Sequence, residues 1–291
     1  MGIGPRGDRR IVVMTCWLPL DVLDGRHVRR IKRDPRYAAL IVRQAGLDGD
    51  RTKGVITPGE KGGDYYNIEP LTEDSKTFYR SLCMRLGYLA QDLPMIQHCL
   101  TRSVAFVAKP CLGGWSKLKR AARFLKSHPR CAIEFIEQEK CTMFRMSAGS
   151  DFSGDPLTRK SISCCHTMMG KHLIKSYVGT QVAPALSSGE AEFVAQVKSG
   201  SIALGVQSLC RDFGEEVSIE SGADFSAAKG VLGRLGLGKI MHLETGLLWI
   251  QHFVDKQVFK LKKLCGKTVK FSWYRNQRLA RGGHETLFGD G

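Results

Sequence analysis

Three acidic residues stand at the punctuation points of the C-terminal half of this chain, and their order is its strongest constraint. Asp151 lies in Ser150-Asp151-Phe152-Ser153-Gly154, where a strand pattern runs into a tight turn. Glu190 lies in Ala185-Leu186-Ser187-Ser188-Gly189-Glu190-Ala191-Glu192-Phe193, where a helical pattern begins. Asp224 lies in Ala223-Asp224-Phe225-Ser226-Ala227-Ala228, where another strand pattern gives way to a helix. Acids at two strand ends and one helix start converge only if the strands share a sheet and the helix packs on it. Each acid also has a plain structural reading. Asp151 suits an Asx turn, and Asp224 can cap the helix that follows it. Ser187-x-x-Glu190 fits a capping box. Against the capping reading, Phe193, Val194 and Val197 follow Glu190 at i+3, i+4 and i+7. That spacing puts Glu190 on the apolar, sheet-facing side of its helix and turns Glu192 away. Taken together, three converging carboxylates are how a protein holds two Mg²⁺ ions roughly 4 Å apart, with Mn²⁺ as an alternative.

The rest of the pattern predicts an α/β chain with a helical first half. Short strands are expected over 12–17 and 28–31, turning at Asp24-Gly25. Asp34-Pro35 starts a helix that Gly46 ends. Residues 48–67 read as an exposed linker rich in Gly, Lys and Asp. Thr72 caps a helix carrying Tyr79, Leu82, Leu86 and Leu89, and Asp92-Leu93-Pro94 breaks it. Further helices are expected over 94–108 and 114–126. From about 131 the period shortens. Strands are expected over 132–136, 141–146, 162–168 and 172–178. A helix over 188–212, a strand over 216–221, helices over 224–233 and 243–256, and a last strand over 268–274 follow. Strands first, then alternating helix and strand, make a mixed sheet with helices on its faces.

Charge sets the class of partner. The 291 residues carry a formal net charge of +16, which favours nucleic acid over an anionic membrane surface. A hydrophobic fraction of 43% is enough for a real core. Residues 102–130 hold eight Lys or Arg and no acid. Within them Lys119, Arg123 and Lys126 share one helical face, as a phosphate-tracking stripe or a solvated face. Residues 256–281 hold nine more basic residues and no acid after Asp255. The ten cysteines are scattered with no CxxC pair, so they read as reduced core thiols in an intracellular, cytoplasmic or nuclear protein. Cys164-Cys165-His166 does not offer four zinc ligands at metal spacing. No apolar run reaches membrane-spanning length.

These residues resemble the pol polyprotein of a copia-type LTR retrotransposon over about 20–255. The ribonuclease H segment of that family is matched by Ser150-Asp151-Phe152-Ser153-Gly154 and by Thr158-Arg159-Lys160-Ser161-Ile162-Ser163. Leu186-Ser187-Ser188-Gly189-Glu190-Ala191-Glu192, Asp224-Phe225-Ser226-Ala227-Ala228 and Lys239-Ile240-Met241-His242 continue the match in order and spacing. Upstream, Thr57-Pro58, Tyr79-Arg80-Ser81, Gly87-Tyr88-Leu89, Pro94-Met95-Ile96 and 118–125 resemble the thumb and connection of a reverse transcriptase. The resemblance implies a palm-like hairpin remnant over 1–33, a helical thumb- and connection-like region over 34–130, and a ribonuclease H-like domain over 131–276. A divergent, disordered tail over 277–291 follows. It implies a ribonuclease H-like mixed five-stranded sheet with flanking helices. It further implies Asp151, Glu190 and Asp224 as catalytic, metal-binding acids, an RNA–DNA hybrid as substrate, and the remainder of a pol polyprotein or reverse transcriptase as partner in cis or trans.

Three departures shape the expectation. No Tyr-x-Asp-Asp occurs, so the polymerase site is absent and the chain reads as the C-terminal part of a longer polyprotein. Leu279 stands where the family has its fourth acid, as a frameshift or truncation would leave it. Cys164 replaces the glycine after Ser163, and Leu93 the arginine before Pro94. Loss of one preorganised electrostatic group typically costs roughly 10²–10³ in rate. Glu244 is the nearest substitute acid, and His242 a proton-transfer accessory or a packing residue. The functional expectations are therefore a metal-dependent endonuclease acting on the RNA strand of a hybrid, or an inactive, basic, nucleic-acid-binding remnant. A reading frame that does not fold stably is the third.

Overall fold

The computed structural model describes residues 20–23, 26–32, 35–59, 67–129, 132–155, 157–223, 228–233, 235–236 and 245–263. The strands expected over 12–17 and 268–274 lie outside these residues, as do Asp34, Asp224, His242, Glu244 and the tail over 277–291. The helical half comprises α1 (Pro35–Gln44), α2 (Glu73–Asp92), α3 (Gln97–Val104) and α4 (Leu112–Ser127). It is flanked by β1 (Leu20–Leu23), β2 (Arg26–Lys32) and β3 (Ala132–Ile136). The sheet half comprises β4 (Met143–Asp151), β5 (Ile162–Met169), β6 (His172–Thr180), α5 (Ser188–Asp212), β7 (Ser218–Ala223), α6 (Ala228–Leu232), α7 (Trp249–Asp255) and β8 (Phe259–Lys263).

The helices follow their apolar spacing. Tyr79, Leu82, Leu86 and Leu89 on α2 are all buried, and they pack with Ile41, Ile96, Leu118, Phe124 and Leu125 in one core. Tyr79 brings a hydroxyl into that core and satisfies it by donating to the Ser103 carbonyl at 2.6 Å. Gly46 ends α1 in the left-handed region at φ 69°, as the C-terminal glycine of a helix should. Thr72 takes the N-cap position of α2 but makes no side-chain cap bond to the helix. Its hydroxyl instead donates to Ser75 Oγ.

Two sheets form among the described residues, and one strand changes owner. The expected strand over 132–136 does not join the C-terminal sheet. It pairs antiparallel with β2, Ile31 opposite Ile133, closing a small sheet of order β1-β2-β3. The C-terminal sheet therefore begins at Met143. Its order is β6-β5-β4-β7-β8. β4, β5 and β6 are antiparallel neighbours, whereas β7 runs parallel to β4 and β8 parallel to β7. Parallel neighbours need a crossover, which α5 supplies between β6 and β7. This is the mixed five-stranded sheet with flanking helices, preceded by a helical region, that the resemblance implied. The final parallel strand is β8, at a stretch of the basic run ahead of the strand expected over 268–274.

Core residues show which sheet face α5 covers. Met146, Ile219 and Phe259 share a core with Phe193 and Val197 of α5, and Ala148 and Cys165 pack against Ala195. Period-two alternation then puts Arg145, Asp151, Glu220, Lys260 and Lys262 on the opposite face. There Arg145 and Lys262 both pair with Glu220. α3 lies against the β6 side of the same face. Ser176 Oγ donates to Gln97 Oε1 at 2.8 Å, and Thr101 Oγ1 reaches the Val178 carbonyl at 3.5 Å.

Candidate acidic site

The acids sit where three elements end. Asp151 is the last residue of β4, opposite Ile162 at the start of β5. β7 runs parallel beside β4 and ends at Ala223, one residue before Asp224, which lies outside the described residues. Glu190 lies in the first turn of α5. A buried glutamine ties that turn to the same end of the sheet. Gln181 Nε2 donates to the Ala191 carbonyl at 2.8 Å and to Ser163 Oγ at 3.0 Å. Ser163 is the strand partner of Ser150, the neighbour of Asp151. A second glutamine, Gln196, fastens α5 to β7 by donating to the Gly222 carbonyl and accepting from Ser221 Oγ.

Each described acid is already engaged by the protein. Asp151 Oδ2 accepts from Arg102 Nη2 at 2.8 Å, and Oδ1 accepts from the Ile162 backbone N–H at 2.5 Å. Both members of the ion pair are mostly buried, with 17% and 19% of their side chains exposed. Burial pushes the Asp151 carboxyl above its ordinary value, and the Ile162 N–H and Arg102 offset this only in part. Glu190 Oε2 accepts from the Leu186 N–H at 2.7 Å, while Ser187 Oγ accepts from the Glu190 N–H at 3.1 Å. The capping reading of Ser187-x-x-Glu190 is thus realised, shifted one residue from the standard box. Glu190 and Glu192 are both half-buried on α5.

The donor chemistry at this end suits a hard divalent cation, since Asp151 and Glu190 offer carboxylate oxygens beside the end of β7. The described conformation does not present them together. Among the described residues no three His, Cys, Asp or Glu side chains are placed to hold one ion. The neighbouring thiols do not add ligands. Cys164 and Cys165 are buried and their thiols are pushed up to about 12, so they are neutral core groups. Cys164 Sγ lies 3.6 Å from His166 Nε2.

The basic stripe divides. Arg123 Nε donates to the Lys53 carbonyl at 2.8 Å, and Lys126 Nζ to the Gly49 carbonyl at 2.7 Å. Ser127 Oγ adds a bond to the Val55 carbonyl, and Arg120 Nη2 one to Thr57 Oγ1. The described part of the expected linker is therefore strapped along α4 rather than loose. Lys119 is exposed, with its ammonium 5.5 Å from the centre of the Trp115 ring.

Arg102, Arg145 and Glu220 are charged residues at this sheet that sequence reasoning did not single out. Arg102 did leave a signal. It opens an acid-free basic run, so any acid it pairs with must come from a distant segment.

No family model matches the chain, and no curated protein matches it. Solved structures do. Ribonuclease H1 from the halophilic archaeon Halobacterium salinarum NRC-1 is 13% identical, with 44% of this chain and 89% of that one covered at a TM-score of 0.28. A ribonuclease H1 isolated from compost by a metagenomic approach is 9% identical, covering 44% and 89% at a TM-score of 0.32. The same compost protein in complex with an RNA/DNA hybrid is 9% identical, covering 43% and 87% at a TM-score of 0.29.

Proposed function

We propose that the chain is a ribonuclease H-type segment of a copia-type retrotransposon polyprotein, hydrolysing the RNA strand of an RNA–DNA hybrid. The observation that carries this reading is the gathering of β4, β7 and the first turn of α5 at one sheet end, with Asp151 and Glu190 on two of them. Asp224 follows β7 directly and would be the third acid. Mg²⁺, or Mn²⁺ in its place, would supply positive charge against the phosphoryl oxygens when bound. The protein's own part is to hold the carboxylates at fixed positions. The strand end fixes Asp151, and the Gln181 bridge fixes the turn that bears Glu190. Lys119 on α4 and the exposed Arg145, Lys260 and Lys262 on the sheet face would neutralise backbone phosphates; Arg123 and Lys126 would do so only by giving up their loop carbonyls.

A second reading has its own observation. Arg102 already neutralises Asp151, and Leu279 stands where a fourth acid is expected, which favours an inactive, nucleic-acid-binding remnant. Cleavage of an end-labelled RNA–DNA hybrid with Mg²⁺ and then Mn²⁺, with Asp151→Asn as control, separates the two. Cleavage that the variant loses supports the nuclease. Salt-sensitive hybrid binding without cleavage, from a cooperatively folded chain, supports the remnant.

A further inference from the structure

The contact between Arg102 and Asp151 joins segments 49 residues apart and is built rather than incidental. Arg102 lies in the last turn of α3, and α3 is docked on the sheet through the bond from Ser176 Oγ to Gln97 Oε1, with Thr101 Oγ1 3.5 Å from the Val178 carbonyl. One guanidinium nitrogen serves two acceptors, Asp151 Oδ2 at 2.8 Å and the Gly154 carbonyl at 2.6 Å. The turn leaves room for this only because residue 154 is glycine. A Cβ there would overlap Asp151 Oδ2 and stand 2.7 Å from Arg102 Nη2. With Ile162 N–H on Oδ1, both carboxylate oxygens face protein donors.

We propose that Arg102 is a displaceable countercharge, by which the helical region closes the acidic end of the sheet and competes with a divalent cation for Asp151. The proposal rests on the nuclease reading in taking Asp151 as a metal-binding acid, and it adds the regulation of that site. A guanidinium on Asp151 Oδ2 weakens the hold of a divalent cation on the same carboxylate, because their mutual repulsion grows as water is excluded. Metal binding therefore favours withdrawal of Arg102, and any event that loosens α3 from β6 eases it. The bond between Gln97 and Ser176 sets how readily that happens.

The test is Mn²⁺ binding to the full chain, read by electron paramagnetic resonance of the free ion. Wild type, Arg102→Gln, Asp151→Asn and the double variant are compared, each checked for cooperative unfolding. Arg102→Gln should bind its first Mn²⁺ at least ten-fold more tightly than wild type, and adding Asp151→Asn should abolish the gain. Equal or weaker binding by Arg102→Gln overturns the proposal. Should that variant fail to fold, hydrogen exchange of the wild type decides. Amides of α3 should exchange at least several-fold faster in saturating Mn²⁺, and unchanged exchange overturns the latch. Failure of the nuclease reading looks different. A variant that gains Mn²⁺ affinity but never cuts the hybrid keeps the latch and removes the nuclease. Cleavage by wild type with no change in Mn²⁺ affinity in Arg102→Gln does the reverse.

Discussion

Replacing Gln181 by leucine should loosen the acidic end of the sheet by a calculable amount. Gln181 is 6% exposed and donates to Ser163 Oγ and to the Ala191 carbonyl. Two neutral hydrogen bonds of 2.8 and 3.0 Å are worth about 1 kcal/mol each net of water. An opposing contribution exists, because Gln181 Oε1 is buried without a hydrogen-bond partner. Removing that oxygen returns about 1 kcal/mol, the low end for an unsatisfied buried acceptor. The expected loss for Gln181→Leu is therefore about 1 kcal/mol. With a urea slope of about 2 kcal/mol per molar, the midpoint for the sheet half should fall by roughly 0.5 M without a change in slope. Tryptophan fluorescence and far-ultraviolet dichroism would follow the transition. Ser163→Ala combined with Gln181→Leu should show a coupling of about 0.5–1 kcal/mol, since the two share a bond. An unchanged or raised midpoint, or zero coupling, would refute the claim that this glutamine ties α5 to the sheet end.

Three further outcomes are expected. His166 is buried and held to about 4 by that burial, below its ordinary 6.5. Its folded form stays neutral while the unfolded chain takes a proton, so stability is fully present above pH 6.5 and is lost as pH falls towards 4. At about 1.4 kcal/mol per pH unit this is of the order of 3 kcal/mol, and because buried His98 is lowered in the same way, denaturant titrations at pH 7.5, 5.5 and 4.5 read it as the part of the pH dependence that His166→Gln removes. Gly154→Ala should cost about 1–3 kcal/mol in thermal or urea unfolding, because Asp151 and Arg102 must both move to admit the methyl. Ser187→Ala removes the acceptor of the Glu190 N–H and should cost about 1 kcal/mol, with a loss under 0.3 kcal/mol arguing against a cap at that position.

Much of the architecture was legible in the chain itself. The apolar spacing of α2 predicts a helix whose stripe is buried as expected, and 188–212 marks the bounds of α5. Those signals are local, because a helix must bury one face every turn and a capping serine must precede it. The placement of Asp151 at a strand end is likewise written locally, in a strand pattern running into Ser153-Gly154. What the chain could not disclose is pairing across long separations. Ala132–Ile136 has a strand's composition, but only the meeting of β2 and β3 assigns it to the N-terminal sheet. The basic stripe on α4 has a periodic face, yet only the path of the 47–59 segment turns Arg123 and Lys126 into straps. Arg102 has an acid-free neighbourhood, and only tertiary contact supplies Asp151 as its partner. Periodicity encodes which face of an element is buried; it carries no information about which distant charge will stand opposite once two elements meet. The acids were set by sequence, and their availability was decided by the fold.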